Sequence, residues 1–207
     1  MSSRKKYEQR CRRCLMRQEL CLCAQIPDLN LATKLILVMN KREIKVPTNT
    51  GRLAALALPN SVILSRGVED APYDLSEHLP TDRPAVLLYP ADDAILLTPE
   101  WVATAGPFHL VVPDGNWRQT SKMRRRDPVM ATLPCVRLPP GPPTAYRVRR
   151  ETKAEGLATI EAIARTFGIL EGPAVQKALE DLFQLMVTRT LASRGIGDSA
   201  GLRSTSG

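Results

Sequence analysis

Aromatic residues are scarce in this chain of 207 residues: two Trp, four Tyr and three Phe, 4% of the total. Its interior must therefore be packed mainly by aliphatic side chains, and a hydrophobic content of 43% is enough to build a core. Long apolar runs are missing as well. The longest, such as Leu35–Met39 and Pro84–Tyr89, have the length of strands and are far too short to cross a bilayer. No apolar stretch follows the charged start Met-Ser-Ser-Arg-Lys-Lys-Tyr, so neither a secretory signal nor a membrane segment is expected, and a reducing, cytoplasmic setting is. Histidine is nearly absent. His78 and His109 stand alone in the sequence and carry no assignable chemistry.

Cysteine, by contrast, is concentrated. Four of the five lie within the first 23 residues, as Cys11-Arg-Arg-Cys14 and Cys21-Leu-Cys23, separated by six residues. Two close thiol pairs let a short loop wrap a tetrahedral ion, and thiolates are the soft ligands that suit Zn²⁺. A disulfide pair competes with this reading, although Cys-x-Cys neighbours close poorly on each other. An iron–sulfur cluster is the next alternative. A site filled by four sulfurs has no open position for substrate, so the metal is expected to hold structure together. Cys135, in Leu-Pro-Cys-Val-Arg-Leu, reads as a small buried hydrophobe.

Twenty-nine basic against twenty-one acidic residues give a net charge of +8, which favours a polyanionic partner, with nucleic acid the first candidate. The basic residues cluster at Arg4–Lys6, Arg10–Arg17, Arg118–Arg126 and Arg147–Arg150. A charge run is ordinarily a solvated helix face. Beside a ligand site in a basic protein, it is suited to gripping phosphates.

After Ile26-Pro27-Asp28 the pattern changes. Short aliphatic runs at Thr33–Met39, Val62–Ser65, Ala85–Tyr89, Phe108–Val112 and Cys135–Leu138 read as strands buried on both faces. Helical stretches lie between them at Thr50–Leu58, Pro99–Ala105 and Asn116–Arg126, the last opening on an N-cap residue. This alternation predicts an α/β fold, a mainly parallel sheet with helices on both faces. The C-terminal third is helical. Thr152-Lys-Ala-Glu155 has the form of a capping box, Leu157, Ile160, Ile163, Ala164 and Phe167 share a face, and Gly168 is placed to stop that helix. Gly172-Pro173 opens the next, with Val175, Leu179, Leu182 and Met186 as its stripe. Leu138-Pro-Pro-Gly-Pro-Pro-Thr is an irregular connector, and the chain shows no internal repeat. The domains expected are a four-cysteine segment over 1–30, an α/β domain over 31–194 and a flexible Gly/Ser-rich tail over 195–207.

In an open parallel sheet, ligands bind beyond the carboxyl ends of the strands. Two segments fall there: Leu88-Tyr89-Pro90-Ala91-Asp92 and Pro113-Asp114-Gly115-Asn116-Trp117. Neither is followed by a Gly-x-Gly-x-x-Gly or Walker sequence, which argues against ordinary dinucleotide and P-loop sites. Asp-Gly after a strand is a common turn, and Asp114 can simply bond nearby amides. In the second segment Gly115 permits the turn, Asn116 caps the helix and Trp117 offers a flat face.

The run Val112-Pro-Asp114-Gly-Asn-Trp117-Arg-Gln-Thr-Ser-Lys122-Met123 resembles the signature of the DTW-domain family, Asp-x-Thr-Trp followed by a basic helix. The cysteine cluster, Thr48-Asn-Thr-Gly-Arg52, Leu87-Leu-Tyr-Pro90, Tyr146-Arg-Val-Arg149 and Leu157-Ala-Thr-Ile-Glu-Ala162 resemble its other blocks, in order. Two positions depart: Asn116 stands in place of the Thr, and Asn40-Lys-Arg-Glu43 where His-Pro-x-Glu is common, so Glu43 remains without that histidine. The resemblance implies a tRNA-uridine aminocarboxypropyltransferase related to the SPOUT methyltransferases, with a knotted core that binds S-adenosylmethionine. It implies backbone contacts to adenine from Leu88, Tyr89, Pro90 and Leu138, with Asp114, Gly115, Asn116 and Tyr146 also at the cofactor. Arg147 and Arg149, alternating on an extended segment, are candidates for a carboxylate or phosphate. Thr159 and Glu161 begin a facing helix, Glu161 being a candidate for the amino group.

The expected chemistry is attack by uridine N3 on the γ-carbon of the methionyl arm, with Asp114 as base or electrostatic partner and Trp117 stacking on uracil or packing against the cofactor. Phosphate contacts are expected from Arg118, Lys122, Arg124, Arg125 and Arg126, extended by Arg12, Arg13 and Arg17 beside the metal. An RNA methyltransferase using the same cofactor and a non-catalytic zinc-containing RNA-binding module are the alternatives. A pure binder has no need of the Asp114–Trp117 loop or of the Tyr146–Arg149 segment.

Overall fold

The computed structural model describes residues 9–68, 73–148 and 156–195. Six strands form one sheet: β1 (Leu35–Asn40), β2 (Ser61–Arg66), β3 (Ala85–Leu88), β4 (Ile95–Leu96), β5 (His109–Asp114) and β6 (Cys135–Arg137). Their order is β2-β1-β5-β3-β6-β4, and every pairing is parallel. The helices are α1 (Thr50–Ala57), α2 (Pro99–Ala105), α3 (Trp117–Arg126), α4 (Pro128–Thr132), α5 (Thr159–Glu171) and α6 (Pro173–Ala192).

The strands are apolar throughout because the sheet is covered on both faces. Along β1, Leu35, Leu37 and Met39 point to one layer and pack with α1, α5 and α6. Ile36 and Val38 point to the other, joining Met123 of α3 and Met130 of α4. β5 alternates likewise, Leu110 and Val112 against Val111. The α/β class expected from the sequence is the one observed.

Local chemistry sets the helix starts. Asn49 accepts the Arg52 amide at 2.7 Å to cap α1, and Thr98 accepts the Trp101 amide at 3.2 Å to cap α2. Asn116 and Gln119 form a reciprocal capping box on α3, at 2.9 and 2.8 Å.

Some boundaries differ from the sequence reading. Strand β4, of two residues, and helix α4 are too short to give a periodic signal; Asp127 starts α4 by accepting the amides of Val129 and Met130. Gly168 does not stop α5, which runs on to Glu171. A Cβ at Gly168 would lie 2.9 Å from the Cβ of Gln176, so this glycine lets α5 and α6 approach closely. The stop is Gly172, at φ +106°. The Thr152–Glu155 capping box lies outside the described residues, as do Arg4–Lys6, Arg149, Arg150 and the tail from 196 onward. Helix α5 starts at Thr159, where Glu161 accepts the Ala158 amide at 2.8 Å. His109 ties two loops, accepting the Lys34 amide at Nδ1 and meeting Asp82 through Nε2, both at 3.2 Å. Among the described residues no helix is long and apolar enough to cross a membrane.

Candidate active site

Strands β1 and β5 are neighbours, yet the chain leaves β1 toward β2 and leaves β5 toward β6 on the opposite side. A crevice opens where adjacent connections diverge, beyond the carboxyl ends of the strands. Here it is a cleft of about 830 Å³, within the ~300–1,000 Å³ usual for small-molecule sites. Its floor is Val112–Trp117, one side is Glu43 and Thr48–Thr50, and another is Leu88–Pro90 with Val136–Leu138. The Pro139–Pro143 connector, Tyr146, Leu157–Thr159, Ala162 and Arg165 complete it.

Asp114 sits at the base, only 3% exposed. Its Oδ2 accepts from Asn49 Nδ2 and its Oδ1 from Thr159 Oγ1, both at 2.6 Å. Asn49 Nδ2 also donates to Glu43 Oε2 at 3.2 Å. A Cβ on Gly51 would come within 3.0 Å of the Asp114 carboxyl carbon. The block Thr48–Arg52 is therefore a cradle for this carboxylate. Burial pushes the Arg52 guanidinium below its ordinary value, and the Asp114 charge opposes that shift. Arg52 itself is held by the Ile44 carbonyl.

Of the residues singled out from sequence, Leu88, Tyr89, Pro90, Asp114, Gly115, Asn116, Trp117, Leu138, Tyr146 and Thr159 all line the cleft. Tyr146 is anchored by its hydroxyl, which donates to the Thr48 carbonyl at 2.7 Å, and by its ring, 5.5 Å from Phe183. Glu161 does not line the cleft. It is 5% exposed, and its carboxylate accepts from Thr144 Oγ1 (2.5 Å) and from the amides of Ala145 (2.7 Å) and Ala158 (2.8 Å). It fastens the connector to α5 through these three bonds. Arg147 is exposed and outside the cleft lining. The cation that α5 contributes there is Arg165, which donates to the Pro142 carbonyl at 2.7 Å. Sequence reasoning assigned nothing to Arg165 or Asn49, although the family block around Asn49 drew attention to that segment.

On α3, Arg118, Lys122, Arg125 and Arg126 are exposed. Arg124 is engaged otherwise: its guanidinium lies 5.5 Å from the Tyr89 ring and 3.7 Å from Asp93. Arg12, Arg13 and Arg17 are exposed around the cysteines, Arg17 pairing with Glu19 at 3.2 Å.

The sulfurs of Cys11, Cys14, Cys21 and Cys23 all lie within 4.8 Å of one another. Two of the separations, Cys11–Cys23 and Cys14–Cys21, are 3.5 and 3.8 Å. A tetrahedron with ~2.3 Å metal–sulfur bonds has edges of about 3.8 Å, so the cluster can hold a metal ion. The backbone amide of Cys14 helps lower the Cys11 thiol to about 6, whereas burial raises Cys14 and pushes Cys23 up to about 12. A cation between sulfurs this close would offset the repulsion among thiolates. The turn is tight, with Leu15 at φ +59° and the Cys11 amide donating to the Met16 carbonyl at 2.8 Å. Arg189 of α6 donates to the Cys21 carbonyl, fixing the segment to the core.

The molecule is thus a parallel α/β protein with a cleft over its strand ends and a separate cluster of four thiols that can hold a metal ion. It belongs to the DTW domain family, whose sequence pattern matches residues 8–191. Over 178 residues it is 25% identical to tRNA-uridine aminocarboxypropyltransferase 2 of Drosophila melanogaster, an alignment covering 82% of this chain and 70% of that protein. No solved structure matches it significantly.

Proposed function

We propose that this protein modifies tRNA by transferring the 3-amino-3-carboxypropyl group of S-adenosylmethionine to N3 of a uridine. The observation that carries the reading is the family's Asp-x-x-Trp run lying at the base of a cleft of small-molecule size, with a carboxylate cradled by two hydrogen-bond donors. The cleft suits the donor chemically: backbone at the ends of β3 and β6 for a nucleobase, apolar Val136, Leu138 and Leu157, and the Asp114 carboxylate for a positive charge. S-adenosylmethionine, when bound, supplies a sulfonium whose γ-carbon is open to attack.

The residues of this chain orient and exclude water. Asp114, accepting from the Asn49 NH₂ and the Thr159 hydroxyl, acts as a fixed negative charge, and the N3 proton passes to solvent as the N3–carbon bond forms and the carbon–sulfur bond breaks. Trp117, at the first turn of α3 and on the cleft wall, stacks on the incoming uracil. Arg118, Lys122 and Arg125, on one face of α3, hold phosphates beside the cleft. On α6, Phe183 backs Tyr146 at the cleft and Arg189, about 9 Å further along the axis, holds the cysteine segment. Arg12 and Arg13, exposed beside the cysteines, offer a second group of cations for phosphates. The four cysteines hold Zn²⁺ as a structural ion, since all four ligand positions are thiolate.

The test is incubation of the purified protein with unmodified tRNA and S-adenosylmethionine, followed by nucleoside mass spectrometry. Aminocarboxypropyl-uridine is the expected product. A methylated nucleoside would instead make it an RNA methyltransferase, and no modified nucleoside would reduce it to an RNA-binding module.

A further inference from the structure

Asn49 uses both ends of its side chain. It is 6% exposed, and its Oδ1 accepts the Arg52 amide at 2.7 Å as the cap of α1. That bond settles the orientation of the amide, so the NH₂ group faces two acids. Its two hydrogens serve Asp114 Oδ2 at 2.6 Å and Glu43 Oε2 at 3.2 Å. A helix cap needs only an acceptor, and Ser or Asp serves as well as Asn. The donor half of Asn49 is therefore surplus to capping, and it is spent on carboxylates that line the cleft.

We propose that Asn49 is a positioning residue that holds Asp114 as a fixed, ionised acceptor, letting the cleft prefer a positively charged donor over a neutral product. An amide N–H can bond only to an accepting oxygen, so the clamp disfavours a proton on Oδ2. Thr159 on α5 satisfies the other oxygen at 2.6 Å, and Gly51 admits the backbone of α1 against the carboxylate. Three elements, β5, α1 and α5, thus fix one charge in a site where burial weakens screening. The inference rests on the reading above, in which a sulfonium donor becomes uncharged methylthioadenosine. A fixed anion in the cleft favours the first over the second, so turnover itself removes the attraction that would otherwise retain product.

The experiment is calorimetric titration of the full chain with S-adenosylmethionine and, separately, with methylthioadenosine. The variants are Asn49→Ser, which keeps an equally good cap, and Asn49→Gly, which weakens the cap only slightly. Wild type should bind the cation at least tenfold more tightly than the neutral nucleoside. In either variant that preference should fall about tenfold, entirely through the cation, while methylthioadenosine and tRNA bind as before. An unchanged preference, or equal weakening of both ligands, overturns the role of Asn49 while leaving the proposed activity standing. Wild-type protein that binds neither ligand overturns the activity and this inference with it.

Discussion

Replacing Asp114 with Asn keeps the shape of the side chain at the base of the cleft and removes its charge. The structure says how the variant should accommodate itself. The introduced carboxamide can turn its carbonyl toward Asn49 Nδ2 and its NH₂ toward Thr159 Oγ1, preserving both 2.6 Å contacts in neutral form. Hydrogen bonds to charged groups contribute about 1.5–3 kcal/mol and neutral ones about 0.5–1.5, so the exchange loses roughly 2 kcal/mol. Relief from burying a carboxylate returns part of that. A net loss of about 1 kcal/mol corresponds to a Tm lower by about 2–4 °C for a chain of this size. Catalysis should suffer more. A unit charge acting at about 5 Å through an effective dielectric of ~20 is worth about 3 kcal/mol, or about 10²-fold in rate. Single-turnover assays at saturating tRNA and S-adenosylmethionine, with melting curves on the same preparations, measure both quantities. Turnover within a few-fold of wild type in a folded Asp114→Asn variant would refute the assignment, leaving Asp114 as a turn residue that Asn replaces well.

The metal site should titrate. Cys11 ionises early while Cys14 and Cys23 resist, so loading zinc near neutral pH should release protons, and affinity should rise with pH; zinc uptake without proton release in weak buffer would contradict this. In metal-free protein the lowered Cys11 contributes stability that is present above pH 9 and lost as pH falls toward about 6, whereas the raised Cys23 contributes stability present below pH 9 and lost as pH rises toward about 12. Replacing Arg118, Lys122 and Arg125 together by Ala should flatten the salt dependence of tRNA binding by roughly one log–log unit per lost contact. Affinity for S-adenosylmethionine should not change, and a fall confined to that ligand would place the helix on the wrong surface. Glu161→Ala strands three donors that the carboxylate now satisfies. Leaving these donors unsatisfied should cost about 2–3 kcal/mol in urea unfolding; a cost under about 1 kcal/mol, the scale of a single ordinary hydrogen bond, would show that the connector is not held this way.

Much of the architecture was legible because it is local. Runs such as Leu35–Met39 are apolar at every position, which only a strand covered on both faces needs, and Asn116 three residues before Gln119 announces a helix start without reference to anything distant. The cysteine spacing likewise declares its chemistry, since thiols three and two residues apart are confined to one small volume. What the sequence left undetermined involves partners far apart in the chain. Asn49 reaches Asp114 across 65 positions because β1 pairs with β5 and not with β3, a choice made by which apolar faces bury together. Glu161 and Arg165 lie one turn apart on the same face of one helix, yet the first is buried against the connector's amides while the second reaches the cleft. Gly168 looks like a helix stop until α6 is packed against it. Propensity, capping and ligand spacing depend on neighbours in sequence and can be read there; the direction of a side chain and the groups it meets depend on packing between elements, and only the folded chain decides them.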